Sequence, residues 1–126
     1  MEKLYAPPEY YTASPELLAE ICNGCGAANA KFDFVPDSIY GLSISEACKI
    51  HDFMYHFGET LADKEEADRV FRNNMIRIIA NHGGWTWLNK MRRWRVGTYY
   101  IAVDKYGGPA FWAGKNPEDS YELRTT

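Results

Sequence analysis

The apolar positions fall into stretches of helical spacing separated by clusters of Gly, Pro and Asn. Residues 1–13, with Pro7, Pro8, Tyr5, Tyr10 and Tyr11, show neither a helical nor a strand period and read as an extended arm laid on the domain by its tyrosines. Ser14-Pro15-Glu16 is a helix start, because serine caps free amides and proline fits the first helical turn. Leu17, Leu18 and Ile21 then form one stripe, which must stop by Asn23-Gly24. Residues 27–42 read as an irregular loop, with Pro36 and Gly41 as breakers and Phe32, Phe34 and Tyr40 to pack it.

Ser43 with Glu46 matches a capping box and opens a second helix, predicted to run to about Phe57 with Gly58 as its C-terminal cap. Ile44, Ala47, Cys48, His51 and Tyr55 share one face, with Asp52 at its edge, and Ile50, Phe53 and Phe57 make the rest apolar too. Asp63 with Glu66 repeats the capping pattern and starts a third helix to about His82, with Ala67, Val70, Phe71, Met75, Ile78 and Ile79 as its stripe. Asp68 falls inside that stripe, between Met75 and Ile79 on the wheel. After Gly83-Gly84, residues 85–106 read as a fourth helix with Trp87, Met91, Trp94 and Ile101 on one side, ended by Gly107-Gly108-Pro109. The strand signal is weak throughout. The reading is a small all-α domain spanning residues 1–126, with the arm at 1–13 and a loosely held tail at 115–126.

Composition adds bounds. A chain of 126 residues, 46% hydrophobic and 25% charged, has room for one core. No apolar run approaches the roughly 20 residues that cross a bilayer. No secretory signal or transit peptide is visible after Met1, so cytoplasmic synthesis is expected, with any release by a non-classical or virion route. A net charge of −3 argues against general nucleic-acid binding. Aromatic content of 15% exceeds what a small core needs, so some rings are expected at a surface meeting something apolar.

The anomaly is chemical. His51 and Asp52 on one helix and Asp68 on the next occupy core-facing positions, and buried ionisable groups cost free energy unless paired. A His51–Asp68 pair between antiparallel helices satisfies both. A carboxylate on one imidazole nitrogen fixes the tautomer and leaves the other to take a proton from water, as a general base does. Asp52 points about 100° away from His51, toward the side where the small-residue loop Cys25-Gly26-Ala27-Ala28 could come down. A carboxylate with backbone carbonyls is a hard-oxygen set suited to Ca²⁺.

Cys48-Lys49-Ile50-His51-Asp52-Phe53-Met54-Tyr55 resembles the CxxHDxxY helix of the secreted phospholipase A2 superfamily, and Gly24-Cys25-Gly26 resembles its glycine-rich calcium loop. Ala67-Asp68-Arg69-Val70-Phe71 is similar to the ADxxF segment of its short bacterial, phage and parvoviral members. The resemblance covers about residues 22–75, with the elements in the family's order. It implies His51 as the base that activates water, Asp68 as the group orienting its imidazole, and Tyr55 as the tyrosine hydrogen-bonded to that aspartate. It implies Asp52 and carbonyls of Gly24, Gly26 and Ala28 as Ca²⁺ ligands, and hydrolysis of the sn-2 acyl ester of glycerophospholipids at a membrane or vesicle surface, a lipid-degrading activity. It further implies a Cys25–Cys48 disulfide, with Cys22 left over. The sequence departs from the family at Ala27, Ala28 and Asn29, where further glycines are usual, so Asp33 or Asp37 could replace one carbonyl ligand. The larger members' second tyrosine at the dyad has no motif match here, although Tyr99 or Tyr100 could reach it. Asp63 is the fallback partner for His51.

Two readings from other classes stand beside this one. Cys22, Cys25, Cys48 and His51 also spell a Cys₃His zinc site, which would make a non-enzymatic zinc module. The same fold without catalysis would be a lipid-binding or interaction module. Lys90, Arg92, Arg93 and Arg95 among Trp85, Trp87 and Trp94 read either as a solvated helix face beside buried tryptophans or as a cationic, aromatic surface for anionic lipid headgroups. Oligomeric state is not legible.

Overall fold

A computed structural model describes residues 3–22 and 36–112. Its elements are α1 (Pro8–Thr12), α2 (Pro15–Ile21), β1 (Ser38–Ile39), β2 (Leu42–Ser43), α3 (Ser45–Phe57), α4 (Leu61–His82), α5 (Thr86–Tyr106) and α6 (Gly108–Trp112). The described residues are thus mostly helical, with one two-stranded antiparallel ribbon pairing Ser38 with Ser43 and Ile39 with Leu42.

α4 is the central element, packed by α3 on one side and α5 on the other. His51 stacks on Phe71, while Tyr55, one turn later in α3, reaches Asp68, earlier in α4, so the two helices run antiparallel. Ile44, Ala47, Cys48, Ile50 and Phe53 of the α3 segment close on Phe71, Met75 and Ile79 of α4, and Val96, Tyr99 and Val103 of α5 complete the core. α2 begins as the sequence requires: Ser14 Oγ accepts from the Leu17 amide at 3.1 Å and Pro15 occupies the first turn.

Other boundaries differ from the sequence reading, each for a local reason. The arm is not wholly extended, since Pro8 starts the short helix α1. Of its tyrosines only Tyr10 is buried; Tyr5 and Tyr11 stay exposed, the Tyr11 hydroxyl donating to the Leu4 carbonyl at 2.6 Å. Asn74 of α4 clamps the arm by accepting from the Tyr5 amide and donating to the Tyr5 carbonyl. Ser43 does not cap α3; it belongs to β2, and its Oγ accepts from the Ser45 amide. α4 starts earlier than Asp63 because Thr60 is the cap and Asp63 supplies the third position of the box, each side chain taking the other's backbone amide. The irregular loop contains the ribbon, turned by Tyr40 and Gly41, both with positive φ, as a two-residue hairpin loop demands. Gly107-Gly108-Pro109 ends α5 but begins α6. The 115–126 tail lies outside the described residues.

Candidate active site

The local structure that places the site is the antiparallel α3–α4 pair. His51, Asp52 and Tyr55 lie on consecutive turns of α3, and all are buried together with Asp68 of α4. His51 Nε2 and Asp68 Oδ1 are 2.8 Å apart. The Tyr55 hydroxyl donates to the same oxygen at 2.6 Å. The imidazole is held between rings, with Tyr55 tilted at 4.2 Å and Phe71 stacked at 4.7 Å. With Nε2 on the carboxylate, Nδ1 is the nitrogen on the far side of the ring.

The second Asp68 oxygen has a partner that sequence reasoning missed. Lys64, one turn earlier on α4 and fully buried, donates to Oδ2 at 2.9 Å. Its ammonium also donates to the carbonyls of Asp104 at 3.2 Å and Val103 at 3.3 Å. Those carbonyls belong to the last turn of α5, where the Val103 oxygen also accepts from the Gly107 amide and the helix dipole favours a cation. All three N–H groups of the lysine are therefore used. The signal was available: Lys64 falls on the stripe of Ala67, Asp68 and Phe71 at spacings of three, four and seven.

Burial alone would raise the Asp68 pKa, but hydrogen bonds from His51, Tyr55 and Lys64 and the His51 charge outweigh it, leaving the carboxyl below its ordinary range. Burial, then the adjacent Asp68 carboxylate, pushes the Tyr55 hydroxyl far above its ordinary value, so it stays protonated as a donor. Gly107 closes this corner. A Cβ there would stand 2.5 Å from the Tyr55 oxygen and overlap the Val103 carbonyl, so only glycine admits the close approach. Phe111 of α6 meets the Tyr55 ring edge-on at 5.1 Å.

The remaining sequence-predicted residues divide. Tyr99 is not a partner of Asp68; its hydroxyl donates to the Ser38 carbonyl at 3.1 Å, and Lys64 takes the second Asp68 oxygen. Asp63 is a helix cap. Asp37 is exposed, and its carbonyl accepts from the Ile44 amide. Gly24, Gly26, Ala28, Cys25 and Asp33 lie outside the described residues. Cys48 is disulfide-bonded. It lies one turn before Asp52 on the same side of α3. No cluster of three or more His, Cys, Asp or Glu side chains stands ready for a metal among the described residues. A calcium site of the implied kind needs only one such side chain, and Asp52, a buried carboxylate next to His51, has the hard-oxygen chemistry for it.

Comparison with known proteins gives no match. Neither a protein-family model, nor a curated protein, nor a solved structure shows significant similarity to this chain. An apolar groove of about 480 Å³ lies between the arm, α2, α3 and α4, lined by Leu17, Phe53, Met54 and Phe57 with Glu9 and Glu66 nearby. Neither His51 nor Asp52 is among its described lining residues.

Proposed function

We propose that this chain is a calcium-dependent hydrolase of the phospholipase A2 type, cleaving the sn-2 acyl ester of glycerophospholipids. The observation that carries the reading is the buried 2.8 Å contact of His51 Nε2 with Asp68 Oδ1, flanked by Asp52 on the next residue of α3. Asp68, fixed by Tyr55 and Lys64, holds the imidazole in one orientation and one tautomer. Nδ1 then takes a proton from water as its oxygen attacks the ester carbonyl, and returns a proton to the departing glyceryl oxygen. Products are a lysophospholipid and a fatty acid. Asp52, with the carbonyls of Gly24, Gly26 and Ala28, would hold Ca²⁺, which when bound supplies polarisation of the ester carbonyl.

The zinc module is supported less well. A cysteine in a disulfide has no thiolate to give a metal, and Cys48 is one of the four ligands that reading requires. The inactive-module reading lacks its expected mark, because His51 and Asp52 are both present.

The decisive experiment is release of fatty acid from mixed-chain phospholipid vesicles in Ca²⁺ or in chelator. Activity is expected only with Ca²⁺, and His51→Gln is expected to lower the rate by at least about 10²–10⁴-fold while preserving the fold. Turnover that ignores chelation would remove the metal assignment, and an active His51→Gln variant would remove the base.

A further inference from the structure

α5 is amphipathic in an unusual sense. Its inner face is partly polar, with Asn89 and Arg92 buried beside Val96, Tyr99 and Val103. Arg92 donates to the carbonyls of Ile39 and Tyr40 and to Asn89, which in turn holds the Gly83 carbonyl. Arg95 is half-buried, over the rings of Tyr40 and Tyr99. These two arginines therefore lock the ribbon to α5 rather than contribute to an open cationic surface.

The outer face is apolar. Trp87 is 57% exposed, Trp94 68%, and Met91 and Ile101 are exposed as well. At 100° per residue these four fall within an arc of about 80°, and they extend along about 21 Å of helix. Trp85, 69% exposed at the helix cap, continues the stripe, with its ring 6.0 Å from that of Trp87. Lys90 and Arg93 flank the stripe, and Lys105 ends it, all exposed. Asp104 is the one acidic residue of α5. This face is thus positive although the whole chain carries −3.

We propose that the outer face of α5 is a membrane-surface site that lies on anionic phospholipid through Trp85, Trp87, Met91, Trp94 and Ile101. Tryptophan partitions to the headgroup boundary, where its ring is apolar and its N–H is wet. Flanking lysine and arginine are attracted to anionic headgroups. The exposed tryptophan ridge with Lys90 and Arg93 beside it matches an anionic lipid surface both in charge and in its mix of apolar rings and polar N–H groups. The helix lies on the bilayer rather than across it, since no described helix is long and apolar enough to span.

The inference is independent of the hydrolase reading, and its test is run in chelator so that hydrolysis plays no part. The full-length protein is sedimented with phosphatidylcholine vesicles, with or without phosphatidylglycerol, while tryptophan emission is recorded. Binding to the anionic vesicles with a blue shift is expected, weakened by salt. Trp87→Ser/Trp94→Ser, with circular dichroism unchanged, should lower the partition constant at least about tenfold. Lys90→Glu/Arg93→Glu should weaken binding to anionic vesicles and leave binding to neutral ones little changed. Wild-type protein that stays in the supernatant, or a double tryptophan variant that sediments like wild type, would overturn the proposal. So would self-association in light scattering that the tryptophan substitutions abolish while vesicles remain unbound, since the stripe would then be an interface between copies.

Discussion

Inside the α3–α4 interface a lysine, an aspartate and a histidine occupy positions where aliphatic residues belong, whereas along the outer face of α5 two tryptophans, a methionine and an isoleucine occupy positions where charges belong. The first region is closed: Asp68 receives His51, Tyr55 and Lys64, and the lysine spends its remaining donors on the end of α5. The second region is left open by the described residues. A buried polar cluster must be satisfied within the fold, because desolvated charges without partners are strongly destabilising. An exposed apolar stripe costs the folded chain little and is satisfied only by something outside it. Substitutions in the two regions should therefore fail in different assays.

The largest effect on stability is expected from Lys64→Met. Removing one partner of a buried pair leaves Asp68 with an incompletely compensated charge, at a cost of about 3–5 kcal/mol in denaturant unfolding. A cost below about 1 kcal/mol would mean that the ammonium is not part of the closed cluster. Asp68→Asn comes next, with an expected loss of about 1.5–3 kcal/mol at neutral pH from weakened charged hydrogen bonds. Its pH dependence has a definite sign. The folded Asp68 pKa lies below its ordinary 3.8, so the stability it contributes is present above that pH and is lost as pH falls through the depressed folded value. Wild type and Asp68→Asn should accordingly converge in acid, and a gap that stays constant would show that Asp68 is not ionised in the fold. The smallest effect is expected outside: Trp87→Ser/Trp94→Ser should change unfolding by no more than about 0.5 kcal/mol per site, while lowering the vesicle partition constant at least about tenfold. A large loss of stability there would mean that the tryptophans support the fold after all.

Much of this was legible in the chain. The α2 cap at Ser14, the end of α3 at Phe57 and of α4 at His82, and the span of α5 follow from spacing and from the chemistry of serine, glycine and proline. The core-facing placement of His51 and Asp68 also follows from helical period. Ser43 carries no signal that separates a capping serine from a strand serine; the pairing with Ser38 decides it. Thr60 and Asp63 are both common caps, so the box reads equally well from either residue until the helix start is known.

What the sequence determined by itself is local: which residues share a helix face, and which faces carry groups that cannot be buried singly. Periodicity and capping act over a turn or two, and they need no knowledge of neighbours. Only the tertiary structure decided which groups meet. Lys64 rather than Tyr99 takes the second oxygen of Asp68 because the end of α5 delivers two backbone carbonyls there and the Tyr99 hydroxyl is drawn to the ribbon. The tryptophans of α5 face outward because Arg92 and Tyr99, anchored on the carbonyls of Ser38, Ile39 and Tyr40, turn the other face of the helix toward the core. Helical period cannot say which stripe wins the interior when both faces carry large side chains; long-range hydrogen bonds to a distant hairpin do.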